Sequence, residues 1–147
     1  MVVARQLALP KTDPVTGKVT VEDLGFVGEP DTVNPEILHT MMKSEIIPVI
    51  APIGVGPKGE TYNINADTVA GAVACAIKAE RLILLTVVEG VLDQVKKLIS
   101  HLTVTQALAL IANGTISGGM IPKIGTAIEA VEGGVHAAVI LDGRIPH

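Results

Sequence analysis

Three short runs of apolar residues, two rich in β-branched side chains, alternate along the chain with segments of helical pattern, and this order limits the possible folds. The runs are IIPVIAPIGVG from Ile46, RLILLTVV from Arg81 and HAAVIL from His136. The helical patterns cover about residues 65–79, 103–113 and 122–131. We expect each run to be a buried strand. Alternating strands and helices predict an α/β fold with a mostly parallel, open sheet and helices on both faces.

The composition supports this class and excludes several others. Hydrophobic residues make up 48% of the chain, yet Phe26 and Tyr62 are its only aromatic residues. A core of Val, Ile, Leu and Ala suits parallel strands covered by helices better than a β-sandwich. The net charge of −4 gives no basic surface for nucleic acid, and no apolar run is long enough to cross a membrane. Cys75 is the single cysteine, which excludes a disulfide framework and favours a cytoplasmic protein.

The chain is predicted to have two parts. Residues 1–34 are rich in proline and glycine, and we expect an irregular segment with a hairpin turn at DPVTG (13–17). Short strands are expected at 18–21 and 25–28. Residues 35–147 are expected to form the α/β domain.

A polar loop precedes the first of these helices. Asn63, Asn65 and Asp67 lie within five residues, just before an almost unbroken run of small apolar residues. If strand alternation persists, the three side chains point the same way. Asn65 or Asp67 would serve as a helix cap, the commonest role of these residues. A carboxylate flanked by amides would also suit the positioning of lysine ammonium groups or a magnesium-bound phosphate. The pattern leaves both possibilities open.

A glycine-rich turn opens the last predicted helix. Ser117, Gly118 and Gly119 precede a first turn that holds Pro122 and Lys123. A helix N-terminus exposes N–H groups that favour phosphate, and a lysine there is unfavourable for the helix dipole alone. The alternative is a tight turn with a solvated lysine, and the pattern does not decide between them. The four histidines, His39, His101, His136 and His147, have no metal-ligand spacing, so no metal site is predicted.

Six stretches of the sequence together resemble the N-acetylglutamate kinases of the amino-acid kinase family. They are DLGFVGE (23–29), IIPVIAPIGVG (46–56), YNINADTVAGAVA (62–74), LILLTVVEGVLD (82–93), LTVTQALALIANGTISGGMIPK (102–123) and EAVEGGVHAAVILDGRIPH (129–147). They cover nearly the whole chain in order, and NINAD with SGGMIPK is a specific pair. DLGFVGE and the GRIPH ending argue against another carboxylate or carbamate kinase of the superfamily.

The resemblance implies transfer of the γ-phosphoryl group of ATP to the γ-carboxylate of N-acetyl-L-glutamate in arginine biosynthesis. It implies that Asn63 and Asn65 bind the acceptor, that Asp67 orients the catalytic lysines, and that Lys123 neutralises charge on the phosphoryl group. Mg²⁺ would be bound through the nucleotide. The full-length family implies a homo-oligomer. The implied nucleotide contacts are Thr86, Val87, Val88, Glu89, Gly90, Val91, Leu92, Ser117, Gly118 and Gly119.

Two departures from the family pattern qualify this expectation. The family pattern usually has aspartate where this chain has Val87. Loss of a polar nucleotide contact, or of a turn anchor, would weaken ATP binding by this loop. The family's N-terminal lobe, with its glycine-rich loop, second catalytic lysine and most of the acceptor pocket, has no counterpart in residues 1–34. We therefore expect a nucleotide-binding half, truncated at both ends and weakly active or inactive by itself. The alternative is a catalytically inactive homologue that folds or binds partners without turnover.

Overall fold

The computed structural model describes residues 1–14 and 16–146. Val15, within the predicted DPVTG turn, and His147, one of the four histidines, lie outside the described residues. The chain divides into two compact units, Met1–Ala76 and Ile77–His147. The predicted domain boundary after residue 34 does not coincide with this division and stays a prediction.

The first unit is built on a small closed barrel. Its elements are β1 (Val2–Thr12), β2 (Val19–Val33), α1 (Glu36–Lys43), β3 (Ile53–Val55), β4 (Thr61–Ile64) and α2 (Ala66–Ala76). The strands follow the order β1-β2-β4-β3 around the barrel. Within it, β1 pairs with β2 and β3 with β4 in antiparallel fashion, while β1–β3 and β2–β4 are parallel.

The hairpin expected in residues 1–34 is present, and its strands are longer than predicted. Asp13 begins the turn, because its carbonyl accepts from the Gly17 N–H at 2.9 Å and its side chain accepts from the Thr16 N–H at 2.8 Å. β2 runs unbroken from Val19 to Val33 where two short strands were expected. The pairing of β1 with β2 shifts register twice, between Val3 and Ala4 and between Gln6 and Ala8, opposite the stretch that contains glycine and proline. Such irregularities bend a hairpin without ending it.

The barrel core is made by alternating residues and by α2. Tyr62 and Ile64 on β4 are buried with Val2 and Ala4 of β1, and Val69 of α2 packs against them. The intervening β4 residues face outward, as the two-residue period of a strand requires.

The prediction of a long buried strand at residues 46–56 is wrong. Only β3, Ile53–Val55, is a strand, and the side chains of Ile47 and Val49 are 87% and 96% exposed. Pro48 and Pro52 explain the difference, because each lacks an N–H for a sheet ladder and restricts the residue before it.

The second unit pairs two strands in parallel. Its elements are β5 (Arg81–Thr86), α3 (Val104–Ala112), α4 (Met120–Glu132) and β6 (Ala137–Asp142). The β5–β6 register runs from Arg81 opposite Ala137 to Thr86 opposite Asp142. One buried cluster of its core contains Val91, Ala107, Ile116 and Ile124, the last from α4.

The α/β class is confirmed, and the predicted sheet arrangement is met only in part. β5 and β6 form the expected parallel pair, whereas the strands of residues 1–76 close into a mixed barrel instead of an open parallel sheet. The first apolar run contributes only the three residues of β3, so it cannot supply a long parallel strand. None of the described helices is long and apolar enough to cross a membrane.

Candidate functional site

The polar segment of the first unit joins β4 to α2. Asn63 is an exposed β4 residue that pairs with Val27 of β2 and Ile53 of β3. Asn65 follows the end of the strand, and Asp67 is the second residue of α2. Because β4 ends at Ile64, strand alternation does not continue, and the expectation that all three side chains share one strand face fails.

Asn65 caps α2. Its side-chain oxygen accepts hydrogen bonds from the N–H groups of Asp67 at 2.9 Å and Thr68 at 3.2 Å, and its carbonyl accepts from the Val69 N–H at 3.0 Å. Asp67 adds a carboxylate to the first turn, where the helix dipole favours negative charge. The structure therefore confirms the prediction that Asn65 caps this helix. Substrate and catalytic roles for Asn63, Asn65 and Asp67 stay predictions.

The turn between β3 and β4 is held by Glu60. Its carboxylate accepts from the Lys58 N–H at 2.8 Å and from the Tyr62 hydroxyl at 3.2 Å. Hydrogen bonds, first that from its own backbone N–H, lower the pKa of Glu60. Burial and the bond to Glu60 raise the pKa of Tyr62. This network stiffens the turn two residues before Tyr62 enters the barrel core.

The predicted nucleotide loop of the second unit begins at Thr86, the last residue of β5. Val87, Val88 and Glu89 are exposed. The chain then turns inward at Gly90, which has a φ of 147°.

The far end of this loop is buried. Val91 belongs to the core of the unit, and Leu92 forms an isolated bridge with Leu98. An exposed loop with anchored ends is typical of a ligand-binding segment.

The glycine-rich turn leads directly into α4. Ser117, Gly118 and Gly119 are exposed; Gly118 has a φ of 57°, and Gly119 is the N-cap of the helix. Lys123 is a half-buried residue in the first turns of α4, which has no acidic residue in its first turn. The turn and lysine thus combine a helix N-terminus with positive charge, an arrangement that attracts anions.

A cavity of about 840 Å³ in the second unit is lined by Ile124, the residue after Lys123, but not by residues 117–119. Its lining is mostly apolar and comes mainly from residues 98–103, α4 and β6, including Ile128 and Ile140, with Ala107 of α3. Among the predicted nucleotide residues, Glu89 and Val91 reach its wall. Residues 1–14 and 16–146 contain no group of three or more His, Cys, Asp or Glu side chains placed to hold a metal ion.

One charged pair near the nucleotide loop was not predicted. Asp142 ends β6 with its side chain buried, and both of its oxygens bind the Arg144 guanidinium at 2.9 and 2.8 Å. The hydrogen bond and charge of Asp142 raise the pKa of Arg144. A carboxylate that ends an apolar strand, two residues before an arginine, was the available sequence signal.

Comparison with known proteins gives consistent matches across the chain. The model of the amino acid kinase family matches residues 3–142. The acetylglutamate kinase of Parvibaculum lavamentivorans is 61% identical over all 147 residues, which correspond to 48% of that protein. The chain thus spans about half the length of the curated relatives it matches.

Two solved structures share the fold. The crystal structure of smu.665 from Streptococcus mutans UA159 is 34% identical with a TM-score of 0.78, over 96% of this chain and 52% of that one. The N-acetylglutamate synthase of Neisseria gonorrhoeae, complexed with coenzyme A and L-arginine, is 25% identical with a TM-score of 0.82, over 97% of this chain and 31% of that one. With the family match extending from residue 3 to residue 142, the chain belongs to the amino acid kinase family.

Proposed function

We propose that this chain provides the nucleotide-binding half of an acetylglutamate kinase. The observation that carries the proposal is its 61% identity, over the full 147 residues, to the acetylglutamate kinase of Parvibaculum lavamentivorans. The reaction is transfer of the γ-phosphoryl group of ATP to the γ-carboxylate of N-acetyl-L-glutamate. Related acetylglutamate kinases at 57% and 55% identity support the same acceptor.

The acceptor is already an anion, so the reaction needs positioning and charge neutralisation more than a general base. A γ-carboxylate oxygen forms the new bond to phosphorus while the bond between phosphorus and the ADP oxygen breaks. Lys123 is proposed to neutralise charge on the transferred group, and Asp67 to orient the catalytic lysines. Asn63 and Asn65 bind the acceptor, Asn65 while capping α2.

The nucleotide is proposed to contact the loop after β5 and the turn before α4. Support comes from the helix N-terminus at Gly119, whose N–H groups and partial positive charge suit phosphate. ATP would bring its own Mg²⁺, which supplies further charge neutralisation between the phosphates. We propose that β5 and β6 belong to a mostly parallel, open sheet with helices on both faces in the complete family fold. We also propose a cytoplasmic homo-oligomer, on the basis of the family and the single cysteine.

The proposal is tested by exchanging the corresponding halves of two proteins. The segment of the Parvibaculum lavamentivorans acetylglutamate kinase that aligns with this chain is replaced by residues 1–147. Phosphorylation of N-acetyl-L-glutamate by Mg-ATP is then measured, with glutamate and carbamate as control acceptors. We expect acetylglutamate-dependent turnover. Lys123→Ala should lower kcat by about a hundredfold or more, the order typical for loss of one charge-stabilising contact in a transition state.

A second variant separates the proposal from its alternative. Val87→Asp restores the aspartate of the family pattern and should lower the KM for ATP if Val87 weakens the nucleotide loop. The 147-residue chain by itself should show weak or no turnover. A folded chimera that binds both substrates but gives no turnover, with or without Val87→Asp, would instead support a catalytically inactive homologue.

A further inference from the structure

An ion pair between a buried carboxylate and an exposed arginine closes the carboxyl end of β6. The Asp142 side chain is 4% exposed, and its Oδ1 accepts from both the backbone N–H of Arg144 at 3.0 Å and the guanidinium Nε at 2.9 Å. Its Oδ2 accepts from a terminal guanidinium nitrogen at 2.8 Å. A two-point arginine–carboxylate pair fixes direction as well as distance, and a buried carboxylate needs such partners. The turn after β6 therefore has one strongly favoured conformation.

This turn is joined to the start of the predicted nucleotide loop. Asp142 is paired with Thr86, and the next N–H, that of Gly143, donates to the Thr86 carbonyl at 2.9 Å. A Cβ built on Gly143 would lie 3.1 Å from the Leu85 Cβ, so the turn after β6 and the end of β5 approach closely here. The residue at which the loop leaves β5 is therefore held by the residues that the ion pair orders.

Near its far end, at Gly90, the loop also approaches β6 closely. A Cβ built on Gly90 would lie 3.2 Å from the Ile140 carbonyl oxygen, two residues before Asp142, and 2.9 Å from a methyl group of Leu98. The loop thus leaves the sheet beside Asp142 and returns against the same strand. The carboxyl end of β6 supports the loop at both ends.

We propose that Asp142 and Arg144 are positioning residues for nucleotide binding. Their ion pair fixes the end of β6, and the end of β6 fixes residues 86–90. The inference rests on the proposed function, because it assumes that this loop contacts the nucleotide. Arg144 is two-thirds exposed, so the pair ties a surface turn to a buried carboxylate and is not part of the apolar core.

The test uses Asp142→Asn, which keeps the side-chain shape, and Arg144→Lys, which keeps the charge without the two-point geometry. Arg81→Lys is the matched control, since Arg81 is an exposed residue at the opposite end of the same two-stranded sheet. Amide hydrogen exchange of residues 86–92 is compared with that of α3 in the 147-residue chain. The dissociation constant of Mg-ATP is measured on the same proteins.

We expect Asp142→Asn to weaken Mg-ATP binding about tenfold, the order expected when hydrogen bonds to a charged group are lost. Exchange of residues 86–92 should accelerate while that of α3 does not. Arg144→Lys should have a smaller effect of the same kind, and Arg81→Lys none. Unchanged exchange and affinity in Asp142→Asn would overturn the inference. A uniform rise in exchange with a lower Tm would also overturn it, since that marks general destabilisation.

Two further outcomes remain decisive. If Asp142→Asn does not fold, the Arg144→Lys variant provides the test. The inference is overturned if Arg144→Lys and Arg81→Lys show the same exchange of residues 86–92 and the same Mg-ATP dissociation constant. If the unsubstituted chain binds no Mg-ATP, the proposed nucleotide site fails. The exchange of residues 86–92 then tests by itself whether the ion pair positions the loop.

Discussion

Replacing Asn65 by alanine removes the cap of α2 and separates its structural role from its predicted role in binding. The Asn65 side chain accepts from two N–H groups, those of Asp67 at 2.9 Å and Thr68 at 3.2 Å. Loss of such a cap costs about 0.5–2 kcal/mol, typically about 1 kcal/mol. Val69 of α2 packs in the barrel core, so fraying of this helix end reaches the core of the first unit.

The assay is thermal and urea unfolding of the chain, followed by circular dichroism. For a cooperative unit of 60–100 residues, a loss of 1 kcal/mol lowers the Tm by about 4–8 °C. Asn65→Asp is the matched control, because aspartate caps helices as well as asparagine does. Equal stability of the alanine and aspartate variants, both near the unsubstituted chain, would refute the capping argument.

The same pair of variants tests the predicted contact with the acceptor. N-acetyl-L-glutamate is an anion, so a carboxylate at position 65 should repel it while keeping the cap. In the chimera of the Parvibaculum lavamentivorans kinase that carries residues 1–147, we expect Asn65→Asp to raise the KM for the acceptor and to leave the Tm unchanged. An unchanged KM would restrict Asn65 to the cap.

Four other substitutions have outcomes that follow from local geometry. A Cβ on Gly54 would clash with the Ala4 Cβ, so Gly54→Ala should cost about 1–3 kcal/mol in urea unfolding. A Cβ on Gly125 of α4 would meet nothing within 4 Å, so Gly125→Ala should stabilise the chain by about 0.5–1 kcal/mol. Thr103→Ala breaks the capping box of α3 and should cost about 1 kcal/mol in the same measurement, with Thr103→Ser as control. Because the pKa of Glu60 is lowered from 4.5, the ionised carboxylate stabilises the fold above that pH, and this stabilisation is lost as the pH falls through the lowered value. Glu60→Gln should therefore reduce the dependence of the free energy of unfolding on pH at the acidic end, measured by urea unfolding at several pH values.

Local sequence signals predicted the elements whose stability is local. The helical pattern of residues 103–113 predicted α3, and the structure has a capping box at Thr103 and a φ of 75° at Gly114. The DPVTG turn and the two strands RLILLTVV and HAAVIL were likewise readable, because turn residues and continuous apolar runs act over a few positions. The β5 strand ends at Thr86, two residues earlier than its apolar run.

What the sequence did not predict depends on pairing between distant residues. The apolar residues from Ile46 read as a strand, but Pro48 and Pro52 prevent a continuous ladder. Closure of the barrel requires β1 to pair with both β2 and β3, which no local pattern specifies. The Asp142–Arg144 pair was missed because it becomes significant only where β6 meets the end of β5.

Thermal unfolding of the 147-residue chain with and without Mg-ATP tests the proposed nucleotide half most directly. A ligand that binds only the folded state, at about 100 times its dissociation constant, adds about 2.7 kcal/mol. We predict a clear rise in Tm on adding Mg-ATP, and a much smaller rise in the Lys123→Ala variant, each measured against its own nucleotide-free Tm. A cooperative transition at the same temperature with and without Mg-ATP would contradict the assignment of this chain as a nucleotide-binding half.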